Sequence, residues 1–279
     1  MTISVFYDHV QKACKNLECS MPVMLQNLRS WGIGAVYPHM RILSADDRIL
    51  EEIKNAGLTV SGLCGSARWA SGFASKEDAK ALVDMAQRCG TDNILIVPGF
   101  LPEEEAAELR NLVTATAISE FMASHESIRN IQAGLQYTVD YAATKGITVS
   151  LEDFDGLYAP YARLAQLQWW MENVPGLRFT LDTGNFAFSD EDSLTACHVL
   201  RDKIVHVHCK DRGVDTSIVP GKFSRGLRPC AVGDGYLPME QIISYLRATG
   251  YTGALTIEHY GVKNFAEAIR RSAAYLNSI

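Results

Sequence analysis

Apolar residues along the chain gather into short, β-branched runs separated by longer segments with helical spacing. The runs lie near 2–7, 33–38, 58–64, 93–98, 147–152, 178–182, 203–208 and 254–258. Between them, helix-like patterns lie near 21–31, 46–56, 76–89, 119–145, 160–173, 191–201, 238–249 and 264–277. In ALVDMAQRC and IQAGLQYTVDYAATK the apolar positions recur every three or four residues, which marks one face of a helix. Five times a helix-like segment ends, a glycine follows and a β-branched run begins, at Gly32, Gly57, Gly90, Gly146 and Gly250. Glycine just past a helix adopts the left-handed conformation at little cost. Alternating helices and short apolar strands predict a parallel sheet covered by helices.

Eight such units predict an α/β fold, a single (β/α)8 TIM barrel spanning 1–279 as one domain. An open doubly wound sheet is the alternative. No G-x-G-x-x-G follows the first strand, which weakens the dinucleotide-binding form of that alternative. No linker divides the chain, and the acidic PEEEAAEL reads as a solvated helix start. The segment DRGVDTSIVPGKFSRGLRPCAVGDG, before the last strand, is rich in Gly, Pro and Arg. On a barrel it is a loop of the C-terminal face, where active sites form.

The last four strands all end in polar residues: Glu152, Asp182, His208 and Glu258. Parallel strands of a barrel deliver such residues to one rim. Three acids gathered without a cation repel one another and raise their own pKa values. One divalent metal ion removes that conflict, and mixed oxygen and nitrogen donors suit Mn, Mg, Co or Zn. His206 shares a strand face with His208 but sits one pleat deeper, as a hydrogen-bonded support for the site rather than a ligand.

The formal charge of −6 offers no bulk attraction for nucleic acid or an anionic membrane. The start MTISVFYDHVQKACKN lacks a secretory pattern, and no apolar run approaches the roughly 18 residues of a membrane span. Seven cysteines without a C-x-x-C pair point to reduced thiols and a cytoplasmic location. Cys209 points away from His208 by strand alternation. No G-x-S-x-G elbow is present, so a serine nucleophile has little support.

SLEDFDG, FTLDTGNF, VHVHCKDR, VGDG and IEHYG, in this order and spacing, resemble the sugar-phosphate isomerase/epimerase superfamily, the xylose-isomerase-like barrels. That group includes ketose 3-epimerases, inosose dehydratases and endonuclease IV. The resemblance spans nearly the whole chain and is strongest from about 132 to 260. It implies a mononuclear metal site with ligands Glu152, Asp182, His208 and Glu258, the two glutamates doubling as acid/base groups on a small sugar or polyol. The implied reaction removes a proton beside a metal-polarised carbonyl, passes through an enediolate and returns a proton, giving an epimer or an aldose–ketose isomer. Loss of hydroxide after the same enolisation gives a dehydratase of the inosose or dehydroshikimate type. A non-enzymatic ligand-binding barrel is the remaining alternative. Family members are often dimers or tetramers, which implies a possible homo-oligomer.

The chain departs from the family pattern in one place. D-x-x-H is common after the strand that ends in Asp182; here DTGN puts Asn185 there, an amide suited to a substrate hydroxyl rather than to a metal. Endonuclease IV needs extra histidines, and LCGSA and IVPGF supply none, which argues against DNA repair.

Other residues are placed near the rim. Trp69 reads as an apolar wall for a sugar or as loop packing. His39 is a candidate donor to a substrate oxygen, and Arg68 a weaker one. Lys210 continues the inward alternation from His208, to reach a ligand or to pair with a carboxylate. Arg225 and Arg228, with Lys222, form either a clamp for phosphate or carboxylate or a solvated loop. VGDG lacks the G-K-[ST] of a phosphate loop, and its glycines read as a turn.

Overall fold

The computed structural model describes residues 1–73, 76–215 and 225–279, so Lys222 lies outside the described residues. The strands are β1 (Thr2–Phe6), β2 (Ala35–Tyr37), β3 (Thr59–Val60), β4 (Leu63–Ser66), β5 (Asn93–Val97), β6 (Thr148–Glu152), β7 (Arg178–Asp182), β8 (Ile204–Cys209), β9 (Arg212–Gly213), β10 (Arg228–Pro229) and β11 (Ala254–Ile257). Nine of them form one sheet in the order β3-β2-β1-β11-β8-β7-β6-β5-β4. Every pairing within it is parallel. β9 and β10 form a separate antiparallel pair on the long loop.

β3 and β4 are two halves of the third predicted run. The strand breaks at Ser61–Gly62 because Tyr37 lies across it; a Cβ on Gly62 would collide with the tyrosine ring. β3 keeps its ladder with β2 and β4 turns to β5. A parallel bridge between His39 and Cys64, with Cys64 N–H donating to Pro38 O at 3.1 Å, draws the two edges together. The result is a nearly closed cylinder of the expected TIM-barrel kind.

The helices are α1 (Tyr7–Leu17), α2 (Met21–Ser30), α3 (Met40–Ala45), α4 (Arg48–Asn55), α5 (Glu77–Cys89), α6 (Glu103–Asn111), α7 (Ala115–Ser124), α8 (Glu126–Ala143), α9 (Leu164–Asn173), α10 (Ser193–Val199), α11 (Met239–Ala248) and α12 (Phe265–Ser278). All five joint glycines have positive φ, from +67° at Gly146 to +86° at Gly250. The acidic segment is α6, whose first turn carries Glu103, Glu104 and Glu105 where the helix dipole favours negative charge. The predicted segment 119–145 divides at the extended residue His125 into α7 and α8. α1 starts directly after β1 and is an addition to the predicted elements.

Between barrel and helices lies one large apolar core containing Leu25, Ile53, Trp170, Phe179 and Ile269. Each such side chain contributes roughly 1.5–3 kcal/mol through burial. Polar contacts join neighbouring strands at Ser150–Thr180 (2.7 Å) and His206–Thr256 (2.8 Å), and Ser4 of β1 reaches Ser61 in the β3–β4 break at 2.7 Å. Among the described residues no helix is long and apolar enough to cross a membrane.

Candidate active site

Parallel register sets the site. Asp182 stands opposite His208 in the β7–β8 ladder, and His208 opposite Thr256 in the β8–β11 ladder, two residues before Glu258. Glu152 and Asp182 end β6 and β7, and Glu258 follows β11 directly. Four strands therefore deliver their polar ends to one level, and one donor atom from each of Glu152, Asp182, His208 and Glu258 lies within 4.8 Å of the others.

His208 Nδ1 lies 2.5 Å from Glu152 Oε1 and 3.3 Å from Glu258 Oε2. Asp182 Oδ1 accepts the N–H groups of Gly184 (2.7 Å) and Asn185 (2.9 Å). Its Oδ2 is buried, accepts no hydrogen bond and lies 3.0 Å from Lys210 Nζ. Lys210 Nζ is also 2.6 Å from Glu258 Oε1 and donates to Asn185 Oδ1 at 2.8 Å. Asn185 Nδ2 in turn donates to Asp153 O at 2.8 Å.

Burial, then the neighbouring charge of Asp182, pushes the Glu152 carboxyl well up. Burial does the same to Glu258, with Lys210 opposing and Asp182 adding to the rise. Burial lowers His208 to about 3, so its ring is neutral and able to ligate. Lys210 is raised: burial alone would lower it, but Asp182, Glu258, Asp155 and Glu152 outweigh that cost. Three carboxylates and one neutral imidazole in a buried cluster are a donor set that fits a divalent ion.

The cluster floors a cavity of about 910 Å³, lined by Phe6, His39, Cys64, Ser66, Arg68, Phe100 and Phe154 together with Glu152 and Glu258. Asp182 and His208 are fully buried and do not line it. Phe100 and Phe154 stand 5.3 Å apart and make an aromatic side to the mouth.

His39 reaches the cavity, with Nε2 3.2 Å from Ser66 Oγ while Nδ1 accepts the Arg41 N–H. Trp69 is only 4% exposed and packs on Phe73 and Gly134 rather than lining this cavity. Lys210 and Asn185 are in the cluster, bound to protein groups. Arg228 is exposed on β10 with its guanidinium over Gly213, and Arg225 stacks on Tyr236 at 4.2 Å; neither lines the cavity. His206 sits below, its Nε2 2.8 Å from Thr256 Oγ1 and its ring 5.3 Å from that of His208.

Three supporting acids escaped sequence reasoning. Asp153 Oδ1 accepts the Asp182 N–H at 2.8 Å, fixing the end of β7. Asp155 pairs with the buried Arg212 at 2.6 Å, tying the β6 loop to the long loop. Asp211 accepts from Arg212, Gly233, Gly235 and Leu237 N–H groups and so builds the VGDG turn. The signal was present in SLEDFDG and HCKDR, as acids just past strands that end at the cluster. Which backbone groups they reach depends on loop paths that spacing does not reveal.

A family model described as xylose isomerase-like TIM barrel matches residues 25–279. The Haemophilus influenzae protein named "Putative L-ribulose-5-phosphate 3-epimerase SgbU" is 23% identical over 225 residues, covering 77% of this chain and 71% of its own. Among solved structures, the probable 3-DHS dehydratase AsbF from Bacillus anthracis superposes with a TM-score of 0.69 at 15% identity, over 99% of both chains. A xylose isomerase-like TIM barrel protein from Mycobacterium smegmatis, in complex with magnesium, gives 0.65 at 19% identity, over 92% of this chain and 87% of its own. At these identities the structural likenesses speak to the fold.

Proposed function

We infer the function from one premise: the chain belongs to the xylose isomerase-like TIM barrel family. On that premise, and from its own site, it is a divalent-metal-dependent isomerase or epimerase of a small sugar or keto-polyol. Mn, Mg, Co and Zn all suit the donors, and Glu152, Asp182, His208 and Glu258 would hold the ion. When bound, such an ion supplies Lewis-acid polarisation of a substrate carbonyl. The observation that carries the reading is a division of labour: of the four ligand residues, only Glu152 and Glu258 also line the cavity.

Burial raises both glutamates above the ordinary carboxyl range, which makes each a better proton acceptor than a solvated carboxylate. One removes the proton beside the substrate carbonyl to leave an enediolate, and one returns a proton to that carbon or its neighbour. Asp182 keeps its place through two backbone N–H groups and His208 through burial, and both stay out of proton transfer. Phe100, Phe154 and Phe6 give the cavity apolar surface that excludes water from a bound substrate, while His39 and Ser66 offer polar partners in the same lining.

The test is exchange of a carbon-bound substrate proton with deuterated solvent, followed by NMR over a panel of ketoses with added Mn²⁺. Wild type is expected to exchange. Glu152→Gln and Glu258→Gln are each expected to lose at least 10²-fold, the usual scale for an acid/base group. Bound ketose without exchange in the metal-loaded protein would overturn the assignment. A rising ultraviolet absorbance from a conjugated carbonyl would instead identify dehydration.

A further inference from the structure

We propose that Lys210 is a resident counter-cation that holds Asp182 and Glu258 in the metal-free protein and competes with the divalent ion for them. The inference rests on the metal site described above. Lys210 Nζ has oxygen neighbours at 2.6 Å (Glu258 Oε1), 2.8 Å (Asn185 Oδ1) and 3.0 Å (Asp182 Oδ2). Two of these three oxygens sit on residues of the proposed ligand set. Asp182 Oδ2 is the oxygen left over after Gly184 and Asn185 occupy Oδ1. Lys210 is 3% exposed, so solvent does little to screen its charge.

Charge explains why such a group belongs here. Three carboxylates this close, two of them buried and one partly so, resist being ionised together without a cation. One ammonium relieves part of that repulsion and fixes two of the carboxylates in place. With the acids ionised, two negative charges remain, which one divalent ion neutralises. The same ammonium then repels the incoming ion, and its contacts to Asp182 and Glu258 must lengthen as those oxygens turn to the metal. Asn185 keeps the displaced lysine close: its amide oxygen is the one partner of Nζ that is not a ligand, and its amide nitrogen is fastened to Asp153 O. Asn185 thus serves the lysine.

The test titrates metal-free full-length protein with Mn²⁺ alone, in competition with a fluorescent chelator at pH 8. Lys210→Met, which keeps the bulk and removes the charge, is expected to bind Mn²⁺ at least tenfold tighter than wild type. Lys210→Arg, which keeps the charge, is expected to stay within about threefold. Equal or weaker binding by Lys210→Met overturns the proposal. A measurement on wild type guards against misfolding of the variant: the Lys210 side-chain ¹⁵N resonance should shift stoichiometrically with added Zn²⁺, and a bound ion that leaves it unmoved overturns the proposal equally. If wild type binds neither ion, the metal reading itself falls, and this inference with it.

Discussion

His9 is wedged between aromatic rings, with centroids 5.5 Å away at Phe6, 5.0 Å at Phe265 and 6.0 Å at His259. Burial lowers its pKa from 6.5 to about 4. An unfolded chain takes up a proton below pH 6.5 that the folded protein refuses until about pH 4. The stabilisation from a neutral His9 is therefore full above 6.5 and lost as pH falls toward 4, up to about 3 kcal/mol across the window. Urea denaturation at pH 7 and pH 5 should show wild type losing about 2 kcal/mol more than His9→Phe, a comparison in which other shared groups cancel. Equal losses would mean that His9 titrates normally. Nothing in the strand pattern marked this residue, because its importance comes from α1, whose apolar positions Tyr7, Val10 and Ala13 follow too closely on β1 to stand apart from it. Glu152, Asp182, His208 and Glu258 were legible for the opposite reason: each terminates a well-separated apolar run. Trp69 was ambiguous, since a loop tryptophan reads alike whether its ring turns to a cavity or to a helix.

That ring turns to α8, which shows how elements constrain one another. Gly134 lies inside α8, where alanine would ordinarily gain up to about 1 kcal/mol in helix propensity. Yet a Cβ at Gly134 would collide with the indole of Trp69. Gly134→Ala is therefore expected to destabilise by about 1–3 kcal/mol through overpacking, despite its better propensity. Urea midpoints should fall in Gly134→Ala and recover in the double variant Trp69→Leu/Gly134→Ala; a stabilised single variant would refute the packing account. The same kind of contact explains where element boundaries defied periodicity. The third run looked continuous from 58 to 64, but Tyr37 crossing Gly62 divides it into β3 and β4. Helix-to-strand joints were legible because glycine carries them locally. The break at His125 was not, because both flanking segments keep helical spacing and only the backbone turn separates them.

At the scale of the whole barrel, the four strands that carry the cluster lie side by side in the sheet order β11-β8-β7-β6, so the acidic cluster is a property of topology. On the proposed metal reading it also couples folding to metal and pH. Glu152 and Glu258 have pKa values raised by burial, so in the metal-free protein they favour the folded state most below their unfolded values. That contribution is lost as pH rises through the raised folded values. An ion needs the carboxylates ionised, so its binding displaces their protons and strengthens with pH. Each displaced proton is worth about 1.4 kcal/mol per pH unit. The stabilisation given by saturating Mn²⁺, relative to excess chelator, should thus be larger at pH 8 than at pH 6, by up to about 3 kcal/mol for one proton. Denaturation curves with and without chelator at the two pH values read this directly, and calorimetry in two buffers counts the protons released. A metal increment that stays flat or shrinks with pH would mean that the ion binds somewhere other than this carboxylate cluster, and that its charge is balanced without it.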